Sequence, residues 1–401
     1  MIKEEMTIIV FVLLFWASVF FVLYTYFGYP IILEFLAGFK RTQIDYPEHF
    51  PTITLLIAAY NEEASIEEKI KNSLALQYPV SKLQILVAAD GSTDHTPDIV
   101  RAYADQGVDL SYIPERGGKM AAIVRALSTM AHGEVVIISD ANNQYDKHAI
   151  EYLAAPFSDP AVGVTTGAKI ILEDGRHLSS SEGLYWRYES RIKSNETKLG
   201  TCTIAVGEII AFRKNQFSAP TQKIINDDHY LVLDFIKKGY KVVYVPQARS
   251  YEYVSRTAAD EVMRRTRMNA GLFQTIFMSG RFLPYNRPFI VWQIISHKFC
   301  RAFVPFVMIL ALLLNILIVY LNFIYNISTL LMPALFGKAL LVFQVTFYFA
   351  AFLGSMFNFE GRLGKVFYLP TFLVNSNIAI VRGLYSYLTN KQQHIWKRVN
   401  R

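Results

Sequence analysis

Charged and small residues that could do chemistry recur at intervals through the middle of this 401-residue chain. Tyr60-Asn61-Glu62-Glu63 and Asp90-Gly91-Ser92-Thr93-Asp94 each follow an apolar run, so Glu62 and Asp90 can face one space. Carboxylates there suit the N–H and hydroxyl groups of a uracil-ribose. Gly117-Gly118-Lys119 can offer backbone N–H groups and one cation to a diphosphate. Asp140, with Asn142 two residues on, presents oxygens of the kind a hard divalent cation takes beside substrate phosphates. Asn226-Asp227-Asp228 sets two carboxylates side by side, and adjacent carboxylates can raise the pKa of one of them, giving a general base. Arg264 and Arg267 share a face of a helical pattern, where guanidinium groups can stabilise a departing diphosphate. Each motif alone has an ordinary alternative. Asp, Asn and Gly make turns, Asp caps helices, and Arg flanks membrane segments.

The elements that must position these residues are legible as alternation. Ile53–Ala59, Leu83–Ala89, Val108–Ile113 and Glu134–Ser139 read as continuous apolar strands. Helical patterns intervene at 65–76, 96–104 and from Gly118 to about Met130. Ser65 and Glu68 have the spacing of a capping box. Such alternation predicts an α/β domain with a mostly parallel sheet covered on both faces. In such sheets ligands bind beyond the carboxyl ends of the strands. All four strand ends here carry polar groups, a recurrence that isolated turns explain poorly. Further helices are expected at His229–Lys238 and Ala258–Gly271. Neither GxGxxG nor GxxxxGK[ST] occurs, which argues against a dinucleotide fold and a P-loop.

Composition explains where the domain sits. Apolar residues make up 52% of the chain and charged residues only 18%, below the roughly 25% usual for soluble domains. The apolar residues collect at the two ends. Met6–Leu33, Ala302–Gly337 and Ala339–Phe359 contain no charge and are long enough to span a bilayer. The first run is too long for a signal peptide. The second and third are expected to form a hairpin turning near Asn322–Asn326. A weaker stretch, Val366–Val381, is read as a fourth span, a re-entrant piece or an interfacial helix, and three spans are favoured. Lys40, Arg41, Arg281, Arg287, Lys298 and Arg301 flank the spans, which places the middle domain in the cytoplasm. The basic tail Lys391, Lys397, Arg398 and Arg401 is assigned to the same side. The domains are therefore an N-terminal helix to residue 39, a catalytic domain over 40–298 and a membrane region over 299–401. A net charge of +7 suits an anionic leaflet. No nucleic-acid motif accompanies it. Cys202 and Cys300 read as two ordinary buried thiols.

Together these residues resemble the membrane-bound members of glycosyltransferase family 2, which include the cellulose, chitin and hyaluronan synthases and bacterial exopolysaccharide transferases. The motifs follow in order from about Pro51 to Gly271. The resemblance implies a GT-A fold with transmembrane helices at both ends. It implies nucleotide-sugar contacts from Ala59, Tyr60, Glu62, Asp90, Gly118, Lys119, Asp140 and Ala141. It also implies Mg2+ or Mn2+ at Asp140 and Asn142, where the family has DxD. Asn226-Asp227-Asp228 stands at the acceptor-side acidic motif, with Asp228 as base and Asp227 beside it. Arg264, Arg265, Arg267 and Met268 stand at QxxRW. Two departures weaken particular roles. Asn142 carries less charge than the second acid of DxD, and Met268 lacks the aromatic face of the motif's Trp. Trp186, Tyr185 or Tyr188 is then expected to provide an aromatic platform for the acceptor.

The implied activity is inverting transfer from a nucleotide-diphosphate sugar, expected to be a UDP-sugar, to a hydroxyl of a polysaccharide or lipid-linked acceptor. A polyprenyl phosphate is the alternative acceptor, but it needs little help from a base such as Asp228. A catalytically silent nucleotide-sugar-binding subunit is the alternative of another class. A sugar-nucleotide pyrophosphorylase is disfavoured, since the loop after the first strand has no glycine. Three or four spans are few for a polymer channel, so export would call on a second copy or an export partner.

Overall fold

The computed structural model describes residues 2–40, 46–172, 177–253, 258–357 and 361–390. Two compact units emerge. One contains Ile32–Met263 and Gln274–Ile294, and the other contains Met1–Ile31, Arg264–Phe273 and Ile295–Thr389.

The first unit is built on an eight-stranded mixed sheet. Its strands are β1 (Ile53–Ala59), β2 (Leu83–Asp90), β3 (Val108–Ile113), β4 (Val135–Asp140), β5 (Gln144–Tyr145), β6 (Val162–Ile171), β7 (Ile210–Arg213) and β8 (Lys241–Glu252). The spatial order is β3-β2-β1-β4-β7-β6-β8-β5. Strands β1 to β4 pair in parallel, with Ile53 opposite both Leu83 and Val135. Strand β7 runs antiparallel to both β4 and β6, while β6 and β8 are parallel. The parallel strands lack a polar face because both faces are buried. Ile53, Leu55 and Ile57 join one core cluster with the helix Ile66–Leu74, and Leu56 joins another with the helix Lys119–Thr129. Residues of β2 and β4 alternate between the same two clusters. The parallel ladder therefore carries the ends of β1, β2 and β4 to the same edge.

Three local expectations need correction. The helix after β1 begins at Ile66, but Ser65 and Glu68 make no capping box. The Ser65 hydroxyl donates to Glu62 at 2.7 Å, and the Glu68 carboxylate accepts from Gln144 instead. The helix after β2 stops at Arg101, and a separate turn at Ala104–Gln106 follows, closed by Gly107. The helix expected from His229 starts two residues earlier, at Asp227. Its first turn thus carries both Asp227 and Asp228, where the positive end of the helix dipole favours carboxylates.

In the other unit the helix Ile2–Leu23 packs on the helix Cys300–Tyr325, with Ile8, Val12 and Phe15 meeting Ala311, Leu314 and Ile318. Among the described residues three helices are long and apolar enough to cross a membrane: Glu4–Gly38, Pro288–Tyr325 and Ala334–Met356. The turn between the last two begins at the far end of the expected Asn322–Asn326 stretch. Asn322 is buried inside its helix, and the chain reverses from Asn326, which takes the left-handed conformation at φ 51°. Asparagine tolerates that conformation better than most residues. Val366–Val381 forms part of one continuous helix, Gly361–Leu388, packed beside Ala334–Met356. Cys202 and Cys300 are free thiols, Cys202 fully buried. The basic tail from Lys391 onwards lies outside the described residues.

Candidate active site

The site forms where the parallel strands end. Asp90, the last residue of β2, is buried, and its two carboxylate oxygens accept the N–H groups of Gly117 and Gly118, each at 2.8 Å. Gly118 has φ +94°, a conformation that side chains with a Cβ rarely adopt. Asp90 thereby shapes the glycine loop that starts the helix Lys119–Thr129. The β1 loop is tied to the β2 loop by reciprocal bonds. Asn61 accepts from the Thr93 N–H at 2.8 Å, and the Glu62 N–H donates to the Thr96 hydroxyl at 2.8 Å. The Arg116 guanidinium lies 3.5 Å from the centre of the Tyr60 ring, a stacked pair beside this loop.

Lys119 draws three motifs together. Its ammonium donates to Asp140 at 2.6 Å and lies 3.7 Å from Asp227. Burial by itself would lower the pKa of Lys119. The fields of Asp140, Asp227 and Asp228 outweigh it and hold the pKa above that of free lysine, so the group is a fixed cation. Gly207 touches the other side of Asp228. A Cβ built there would stand 3.2 Å from an Asp228 carboxylate oxygen, so the glycine leaves that side chain its room. Beside Lys119 and Asp227 opens a cavity of about 350 Å³, walled by the first turns of the helix Lys119–Thr129 and by residues 219–225.

A polar brace that no short motif announces backs the carboxylates. Lys69 is fully buried and donates to Asn143 at 2.8 Å, with the Tyr145 ring 4.0 Å away. Burial lowers the pKa of Lys69 to about 7, against the opposing pull of Asp140 and Glu208. Asn143 accepts from Ser139 at 2.9 Å and donates to the Glu208 carbonyl at 3.0 Å. The Tyr145 hydroxyl donates to the same carbonyl at 2.7 Å. These bonds join the end of β4, beside Asp140, to the Gly207–Glu208 turn that abuts Asp228. The Glu208 carboxylate accepts from Lys169 at 2.6 Å and from Ser250 at 2.9 Å, and Glu252 pairs with the same lysine. Sequence reasoning missed Lys69, Asn143, Tyr145, Glu208, Lys169 and Glu252, because their partners lie far along the chain. Of the two adjacent asparagines, Asn143 is buried, while Asn142 lies half-buried in the turn after β4.

The remaining candidates are placed as follows. Ala59 ends β1 in the first core cluster, and Ala141 is buried after β4. Trp186, on the helix His177–Leu199, packs against the first core cluster, with its ring 5.6 Å from the Lys169 ammonium and 5.5 Å from that of Lys193. Arg264, Arg265, Arg267 and Met268 lie on the helix Ala258–Phe277, in the stretch that belongs to the unit with the apolar helices. Arg265 donates to the Ser376 hydroxyl at 2.9 Å and lies over the Phe372 ring, so that guanidinium is engaged by the helix Gly361–Leu388.

Residues 54–218 match the family model "Glycosyl transferase family 2". Over that stretch the chain is similar to family 2 glycosyltransferases. The matched stretch includes Asp90, Lys119 and Asp140 and ends before Asp227. The poly-beta-1,6-N-acetyl-D-glucosamine synthase of Staphylococcus aureus (strain COL) is 27% identical over 228 residues, 55% of this chain and 54% of that protein. The probable glycosyltransferase YdaM of Bacillus subtilis (strain 168) is 23% identical over 236 residues, 56% of each. The chain thus spans about half the length of the curated relatives it matches. The solved mannosyltransferase PcManGT from Pyrobaculum calidifontis, in complex with GDP-Man and Mn2+, superposes with a TM-score of 0.68 at 20% identity, over 94% of this chain and 99% of that one. That likeness establishes the GT-A fold.

Proposed function

We propose that this glycosyltransferase transfers a sugar, with inversion, from a UDP-sugar to a hydroxyl of a polysaccharide or lipid-linked acceptor at the cytoplasmic face of a membrane. The observation that carries this reading is the junction at Lys119, where one ammonium meets Asp140 and Asp227 beside Asp228. It brings a diphosphate-seeking cation, a metal-seeking carboxylate and a base into one place. Glu62 and Asp90 border the nucleoside side, and the Tyr60–Arg116 pair offers a flat surface there. Asp228 takes the proton from the acceptor hydroxyl as it attacks the anomeric carbon opposite the diphosphate. Arg264 and Arg267 are proposed to add positive charge as the diphosphate departs. The polysaccharide synthase among the relatives favours a sugar acceptor over a polyprenyl phosphate. The Lys and Arg residues flanking the apolar helices favour a cytoplasmic site.

The residues fit a divalent cation of the Mg2+ or Mn2+ type. Among the described residues no cluster of three His, Cys, Asp or Glu side chains could cage a metal. Such cations, however, need only one or two protein carboxylates when phosphates supply the other oxygens. Asp140, which pairs with the Lys119 ammonium at 2.6 Å, supplies a carboxylate of the kind such a cation takes. Asp140, with the Asn142 carbonyl, would hold the metal, which when bound neutralises charge on the leaving diphosphate. Excess EDTA is therefore expected to stop sugar transfer, and added Mn2+ to restore it. Undiminished turnover in EDTA would remove the metal from the account.

A further inference from the structure

We infer that a second site, at the far end of the helix that carries Asp228, binds the phosphate of an anionic membrane lipid. The helix Asp227–Lys237 is 11 residues long, with the carboxylates at its start and Lys237 at its end. There a cavity of about 190 Å³ lies between this helix and the short helix Ser279–Phe282. Lys237 and Arg281 both line it, and both side chains are exposed to solvent. The Lys237 ammonium donates to the Arg281 backbone carbonyl, which ties the end of this helix to the short helix, and both cationic residues line the same cavity. The acid in the wall, Asp234, is paired with Lys238 at 2.6 Å, so it does not cancel them. Tyr230 completes the wall and is itself held by the Phe282 ring, with centroids 5.5 Å apart. A neighbouring lysine and arginine, with a phenol beside them, suit a phosphate diester.

The chain around the cavity says where that phosphate comes from. The apolar helix Pro288–Tyr325 begins seven residues after Arg281. Phe277, Tyr285 and Phe289 flank the site in sequence and are 63%, 65% and 40% exposed. Exposed aromatic rings at the start of a spanning helix mark the headgroup level of a bilayer. Two cations at that level face anionic headgroups, and each adds about 1 kcal/mol of attraction. A free phosphate would have no use for the rings.

The full-length chain is reconstituted in nanodiscs of phosphatidylcholine mixed with phosphatidylglycerol, moved into mild detergent, and the retained lipid measured by mass spectrometry. Phosphatidylglycerol is expected to be retained in preference to phosphatidylcholine. Arg281→Gln and Lys237→Gln are each expected to weaken that retention about fivefold, while Arg281→Lys keeps most of it and controls for folding. Inorganic phosphate at equal concentration is expected not to displace the lipid. Equal retention by the doubly substituted chain would overturn the assignment, and so would displacement by inorganic phosphate alone.

Discussion

Replacing Asp228 with Asn is expected to lower kcat by about 10²–10⁴, the range that a positioned general base supplies. Donor binding should change little, because Asp228 acts on the acceptor side in this account. The change removes the proton acceptor and keeps the shape, which matters where Gly207 lies against the side chain. Equilibrium binding of UDP-sugar to the variant, measured beside its turnover, separates the two roles. Normal transfer by a variant that binds donor would show that another group takes the proton. Asp227→Asn is a useful contrast. Asp227 faces Lys119, so its loss should act on donor KM more than on the chemical step.

The second large effect is expected at Lys119. Truncation to Ala leaves the carboxylates of Asp140 and Asp227 without their shared cation. Removing one member of a buried charged pair costs about 2–5 kcal/mol, much of it from the charge left behind. That corresponds to a loss in kcat/KM of about 30- to 5000-fold, carried mainly by the KM for donor. Arg is not expected to restore activity, because its planar fork cannot replace a compact ammonium at both carboxylates. Raised Mn2+ should recover part of the loss in the Ala variant, since a divalent ion answers the same carboxylate. Steady-state kinetics across donor and Mn2+ concentrations test this. An unchanged donor KM would mean that Lys119 serves the fold alone.

Much of the fold was readable because it rests on local signals. Strands buried on both faces must be continuously apolar, so β1 to β4 stood out, and the polar residues that end them marked the edge to which the parallel ladder carries them. Asp90 and Asp140 were readable as strand ends for the same reason. What escaped was non-local. Ser65 and Glu68 have the spacing of a capping box, yet each finds a better partner, Glu62 and Gln144, once the chain folds. Asn143 carried no signal of its own beside Asn142. Its burial depends on Lys69, which comes from an earlier helix, and on the Glu208 carbonyl, which comes from a later turn. A lysine in an amphipathic helix gives no warning that it will be fully buried. The acidic pair was read as preceding its helix, whereas it forms the first turn. Arg265 stood within the run that resembles QxxRW, and its bond to Ser376 ties it to a helix more than a hundred residues away.

The central claim is inverting transfer from a UDP-sugar at this strand-end site. Its most direct test is to offer UDP-sugars singly to the purified full-length chain with an oligosaccharide or lipid-linked acceptor, and to read the anomeric configuration of the first product by NMR. The account predicts a new glycosidic bond of β configuration from an α-linked UDP-sugar, and its loss in Asp228→Asn. An α product, or equal transfer by the variant, would contradict it.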